Sequence, residues 1–144
     1  MSPDGTLAAP AKRGAGVECG LSTIAFGCPG IMNWLESAGD EALDRLPFGV
    51  IGLSADGTVA RYNAIEGKSS GLTPARVIGR KFFTSVAPCT NNFMVAHRFE
   101  TEPELDAVID YVFTLRMAPT KVRLRLLKRT GAKLMYLLVD RRAG

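Results

Sequence analysis

The spacing of apolar positions changes twice along this chain. Near the start it is helical: Ile31, Trp34 and Leu35 fall on one face of a short amphipathic segment. Asp40–Leu46 reads as a second short helix, with Asp40 placed to cap it. Neither is long enough to hold its own helix in water, so both must dock on something. The period then shortens to that of strands. Phe48–Leu53 and Thr58–Tyr62 flank Ser54-Ala55-Asp56-Gly57, and Asp-Gly between two apolar runs predicts a hairpin. Short helical pieces come next. Thr73-Pro74 suits a cap followed by proline in the first turn, Gly79 closes that piece, and Phe93–Glu100 predicts another helix before Pro103. Three strand-like runs follow, Leu105–Met117, Lys121–Lys128 and Lys133–Val139, joined by turns at Ala118-Pro119-Thr120 and Arg129-Thr130-Gly131-Ala132. Two strands, a helical crossover and three strands predict an α+β fold on a central antiparallel five-stranded sheet. Such a sheet needs cover: the short helices are expected on one face and the N-terminal helices on the other.

At 144 residues, 47% of them hydrophobic, the chain can bury a core of its own. Residues 1–20 are rich in Ala, Gly and Pro and read as a flexible extension. Residues 21–144 read as one domain, with an N-terminal helical cap over 21–47 and a core over 48–140. The first residues lack the apolar stretch of a signal peptide, and no apolar run approaches the roughly 20 residues that cross a bilayer. The expectation is therefore a cytoplasmic protein without a membrane partner. The net charge of +4 comes largely from Lys121, Arg123, Arg125, Lys128 and Arg129. In Lys121–Leu126 the cations alternate with apolar residues and share one strand face. A solvated outer face is the expected reading, a nucleic-acid surface the less favoured one. Cys19, Cys28 and Cys89 are odd in number and show no C-x-x-C spacing. No disulfide framework or zinc site is expected.

The chemistry gathers in two stretches. Arg80-Lys81-Phe82-Phe83-Thr84-Ser85-Val86-Ala87-Pro88-Cys89-Thr90 places a cysteine directly after a proline and just past bulky apolar residues. Pro88 supplies no N–H, so this thiol sits on irregular backbone, against the core. Upstream, Arg61-Tyr62-Asn63-Ala64-Ile65-Glu66-Gly67 sets a phenol and a carboxyl four residues apart, where both can face one pocket. Taken alone, each has a plainer reading. Cys89 can be a buried apolar thiol, and Tyr62 and Glu66 a surface phenol and a solvated carboxylate. Trp34 reads as a docking anchor and His97 as an exposed helical residue.

The order of elements resembles a PAS domain. Ala25-Phe26-Gly27, the Asp56-Gly57 hairpin, Tyr62-Asn63-Ala64-x-Glu66-Gly67, Val77-Ile78-Gly79, Phe82-Phe83, Val86-Ala87-Pro88-Cys89-Thr90 and Met117-x-Pro119-Thr120-Lys121-Val122 resemble, more narrowly, the photoactive yellow protein family. The resemblance runs from about Ala25 to Val139. It implies a blue-light photoreceptor, not an enzyme, with p-coumaric acid (4-hydroxycinnamic acid) attached to Cys89 as a thioester. Tyr62 and Glu66 would hydrogen-bond the phenolate oxygen of this chromophore. Ser70, where the family usually has Thr, would support Tyr62 or instead cap a helix or turn. The Cys89 N–H would hold the thioester carbonyl. Ile51, Phe82, Val86, Ala87, Thr90, Tyr111 and Phe113 would line the pocket. Met117 matches a methionine that influences dark-state return, though it also suits plain core filling.

By the same resemblance, light isomerises the chromophore from trans to cis, Glu66 gives its proton to the phenolate, and the buried carboxylate left behind loosens the short helices between Gly27 and Leu46. Two departures stand out. Leu72 occupies a position where many members carry an Arg that shields the thioester end, and the stretch between Phe99 and Tyr111 is three residues shorter. The implied partner is a downstream signalling protein, to a monomer or weak dimer, with no nucleic acid. Two rival readings remain. One is a chromophore-free PAS module for protein interaction or small-ligand sensing. The other is a thiol acyltransferase or hydrolase built on Cys89, for which His97 is the sole histidine available as base.

Overall fold

A computed structural model describes residues 24–114 and 119–141. The chain divides at Ser37/Ala38 into two compact units. In the first, α1 (Ile31–Ser37) buries Ile31, Met32 and Leu35, while Trp34 is half-buried. Cys28 in this unit is buried and disulfide-bonded, contrary to the expectation from spacing. Spacing along the sequence does not report which sulfurs folding brings into range. Cys19 lies outside the described residues.

The second unit opens with α2 (Asp40–Asp44) and carries β1 (Gly49–Leu53), β2 (Val59–Tyr62), α3 (Ala64–Ser70), α4 (Pro74–Val77) and α5 (Ala96–Thr101). Between α4 and α5 run a π-helical turn, Phe82–Val86, and a 3-10 turn, Pro88–Thr90. Strands β3 (Leu105–Phe113), β4 (Thr120–Lys128) and β5 (Met135–Asp140) follow. They complete a five-stranded antiparallel sheet in the order β2-β1-β5-β4-β3. The α+β architecture expected from the periodicity is the one observed.

The hairpin forms where Asp-Gly predicted it. Gly57 takes a positive φ of 87°, and Asp56 Oδ1 accepts from Thr58 N at 3.1 Å. The second helix differs in detail. Its N-cap is Gly39, and Asp40 is already helical and accepts instead from Arg61 Nε at 3.3 Å. Thr73 holds the cap position of α4 without a side-chain bond, and Pro74 opens the helix. The cationic face of β4 is only partly solvated. Lys121 and Arg123 are exposed, whereas Arg125 is buried and bonds Asp106 through Nε and Nη2 at 2.8 and 2.9 Å. A guanidinium taken from water needs such a two-pronged partner.

One buried residue, Asn63, decides how the hairpin meets α3. Its Oδ1 accepts from Val50 N at 2.9 Å and from Glu66 N at 3.3 Å, so it caps α3. Its Nδ2 donates to Leu43 O and Phe48 O at 2.9 and 3.0 Å. The side chain thereby joins α2, β1 and the first turn of α3. Removing it leaves several buried backbone groups without partners. Asn63→Ala is expected to lower unfolding stability by about 2–4 kcal/mol. Urea denaturation measures this, and a change within about 0.5 kcal/mol, typical of a surface site, would contradict it.

Candidate functional site

Tyr62 ends β2 and Glu66 stands in the first turn of α3, with the Asn63 cap between them. Tyr62 lies opposite Ile51 in the β1–β2 ladder, so the two side chains share a face of the sheet. Both are buried. The Tyr62 hydroxyl lies 2.8 Å from Ser70 Oγ, and that oxygen also accepts from Leu72 N at 3.1 Å. Ser70 therefore fills both roles open to it: it supports Tyr62 and closes the turn after α3.

Glu66 is fully buried, at 0% exposure. Its carboxylate is gripped by a residue that the periodicity gave no reason to choose. Arg141, one residue past β5, donates from Nη1 to Oε1 at 2.7 Å and from Nη2 to Oε2 at 3.1 Å. The Arg141 guanidinium also lies 5.8 Å from the Phe113 ring centroid, within cation–π range. Space for this carboxylate comes from Gly49. A Cβ there would overlap Glu66 Oε1 and come within 3.0 Å of its Cδ.

Burial pushes the Glu66 carboxyl above its ordinary value of 4.5, and the bonds and charge of Arg141 offset only part of that rise. Burial, and then the nearby Glu66 charge, push the Tyr62 phenol well above its ordinary range, against the pull of Ser70 and Arg141.

Cys89 occupies the 3-10 turn after Pro88, half-buried and free. Tyr111 donates its hydroxyl to Cys89 O at 2.6 Å, and Asn92 Nδ2 donates to that hydroxyl at 2.6 Å and to Cys89 O at 3.3 Å. Thr90 is buried and turns its hydroxyl back to Ala87 O at 2.7 Å. Thr90 thus fastens the turn.

Ile51, Tyr62, Phe82, Val86, Ala87 and Phe113 belong to one buried apolar cluster, and Leu72, Cys89 and Tyr111 pack against it. Most of the residues singled out from the sequence thus lie in or against the core cluster. Met117 lies outside the described residues. Tyr62 and Glu66 do not bond each other; each has its own partner. Leu72 lines a groove of about 180 Å³ that Arg76 and Arg80 also line. His97 is exposed, with its ring 4.9 Å from that of Phe93. Asn63, Gly49 and Arg141 were not foreseen as parts of the site.

No family model matches the chain. It is 36% identical over 124 residues to photoactive yellow protein of Rhodothalassium salexigens, covering 84% of this chain and 99% of the relative. The photoactive yellow protein domain of the sensor histidine kinase Ppr from Rhodospirillum centenum superposes with a TM-score of 0.69 at 39% identity, over 75% of this chain and 97% of that one. The PAS domain of an HTR-like protein from Haloarcula marismortui, 18% identical, shares the fold at a TM-score of 0.57 over 77% of this chain and 96% of its own.

The raised Glu66 carboxyl has a consequence for stability. Its contribution is complete below the unfolded-state value and is lost as pH rises through the higher native one. Tyr62 stays neutral across that window. The stability of the wild-type protein relative to Glu66→Gln is therefore expected to fall as pH rises above about 4.5 in urea titrations. A difference independent of pH would contradict the assignment. Gly49→Ala is expected to displace the carboxylate and cost about 1–3 kcal/mol by overpacking.

Proposed function

Because this chain belongs to the photoactive yellow protein family, we propose that it is a blue-light photoreceptor carrying p-coumaric acid as a thioester on Cys89. The observation that carries this reading is a fully buried carboxyl beside a buried phenol, in the domain whose free thiol packs on the same apolar cluster as that phenol. The residues suit an aromatic acid held through sulfur. Cys89 Sγ offers the anchor, Phe82, Val86, Ala87 and Phe113 offer apolar contact, and Tyr62 and Glu66 offer two acidic O–H groups.

When bound, the chromophore supplies light absorption, trans–cis isomerisation and a phenolate oxygen that can take up a proton. The protein supplies the setting for these events. Burial favours the protonated form of both Glu66 and Tyr62, so each can donate a hydrogen bond to an anion. Ser70 keeps the Tyr62 hydroxyl in place. The Cys89 turn is steadied by Tyr111 and Asn92, which hold its carbonyl and leave the sulfur free.

Proton loss from Glu66 places a charge where none is solvated, at a cost of several kcal/mol if it goes uncompensated. That is a large part of a domain's total stability of about 5–15 kcal/mol. Asn63 touches both Glu66 N and Leu43 O, so strain at α3 reaches α2 directly. The helices between Gly27 and Leu46 are the segments proposed to loosen. These helices, α1 and α2, have only seven and five residues.

The cycle turns over no substrate. An acyl-transfer reading would need a base beside Cys89, and the sole histidine, His97, is exposed with its ring on Phe93. The occurrence of a related domain within a sensor histidine kinase supports a signalling protein as partner. No described helix is long and apolar enough to cross a membrane.

Treatment of the purified apoprotein with an activated p-coumaroyl ester tests this reading. The expected product is yellow and heavier by one coumaroyl group, and Cys89→Ser gains neither colour nor mass. A wild-type protein that takes up no covalent pigment would instead favour the chromophore-free PAS module.

A further inference from the structure

We propose that Arg141 is the counter-ion that receives the Glu66 carboxylate once its proton has left, which makes the exit of β5 the element that reads the charge on Glu66. The inference rests on the reading of Glu66 as proton donor. Its physical basis, however, is already present without any pigment.

The Arg141–Glu66 contact is built to distinguish the two forms of a carboxyl. The two terminal guanidinium nitrogens each meet one carboxylate oxygen, Nη1 on Oε1 at 2.7 Å and Nη2 on Oε2 at 3.1 Å. A carboxylate accepts two such bonds, whereas a carboxylic acid must keep one oxygen for its own proton and loses part of the grip. The surroundings sharpen this difference. Glu66 is wholly out of water, while Arg141 remains 21% exposed, so the arginine keeps part of its hydration and the carboxylate depends on its partners. Tyr62 on β2 is the other acidic group acting on this site, and Ser70 takes up its hydroxyl. Arg141 is the one cation in ion-pair range of Glu66 among the described residues. The guanidinium is held from a second side by Phe113, and Gly49 leaves the space that the Glu66 carboxyl occupies. The first feature steadies the arginine and the second the acid.

The position in the sheet gives the pair its reach. Arg141 directly follows Asp140, the last residue of β5, and β5 lies in the centre of the sheet between β1 and β4. While Glu66 holds its proton, the contact between α3 and this exit is weak. When the proton leaves, the same contact becomes a charge-assisted fork. Phe113, under the guanidinium, also touches Tyr111, whose hydroxyl holds the Cys89 carbonyl. Arg141 therefore meets Glu66 directly and connects to the Cys89 turn only through Phe113 and Tyr111. It acts as a positioning residue: it exchanges no proton itself and sets how readily Glu66 parts with one.

Two measurements test the proposal, one of them independent of pigment. In the apoprotein, infrared difference spectra against Glu66→Gln follow the Glu66 carboxyl as pH is varied. Arg141→Gln is expected to move its titration midpoint up by at least one pH unit, a tenfold gain in proton affinity, with Arg141→Lys in between because it keeps the charge and loses the fork. In pigment-loaded protein, Arg141→Gln is expected to speed recovery after a blue flash at least tenfold, because the ionised state has lost its partner. An unchanged midpoint in a folded Arg141→Gln protein would overturn the proposal. If the wild type took up no pigment, the photoreceptor reading would fail while the apoprotein titration still decided the role of Arg141.

Discussion

A carboxyl group placed wholly out of water governs how this domain is put together. Glu66 cannot be left alone there in its charged form, and its neutral form must still find hydrogen-bond partners. Three separate parts of the chain answer that demand. The hairpin supplies Gly49, whose missing side chain makes the space. The turn before α3 supplies Asn63, which fixes the backbone of the residue. The exit of the central strand supplies Arg141, which meets the carboxylate itself. Residues far apart in sequence thus converge on one acid.

The same arrangement explains why a single proton can matter to the whole unit. Asn63 links the Glu66 backbone to α2 and β1, and Arg141 links its side chain to β5. A change in charge at Glu66 therefore acts on elements of very different strength. The sheet is extensively paired, whereas α2 is a single short turn held by a few bonds, from Arg61 to Asp40, from Asn63 to Leu43 and from Ala64 to Asp44. Weakly held elements yield first when such a strain appears. On this account the signal is set at α3 and expressed at the edges of the fold.

Much of this was legible from residue patterns, and the exceptions have physical causes. The strand and helix order followed from period changes and turn residues, because Asp-Gly, Thr-Pro and Pro103 act locally. Cys89, Tyr62 and Glu66 stood out because each belongs to a compact motif, and Ser70 only through the family resemblance. Asp40 was assigned to a cap it does not fill, since Arg61 takes its carboxylate and Gly39 can supply the extended backbone. Arg125 looked like one more solvated cation until its pairing with Asp106 across the ladder appeared. Arg141 was missed because β5 is buried along its whole length, which leaves no alternation to orient the residues after it. The ladder supplies the clue that the linear sequence lacks. Gly49 pairs with Val139, and a period of two from Val139 points to Arg141 on the same side.

The central claim is that Glu66 is the group whose proton moves. The most direct measurement is the flash-induced infrared difference spectrum of the pigment-loaded protein. The account predicts loss of a protonated carboxyl band after the flash, its return on the timescale of colour recovery, and its absence in Glu66→Gln. A wild-type spectrum with full bleaching and no carboxyl change, or the same band persisting in Glu66→Gln, would contradict it.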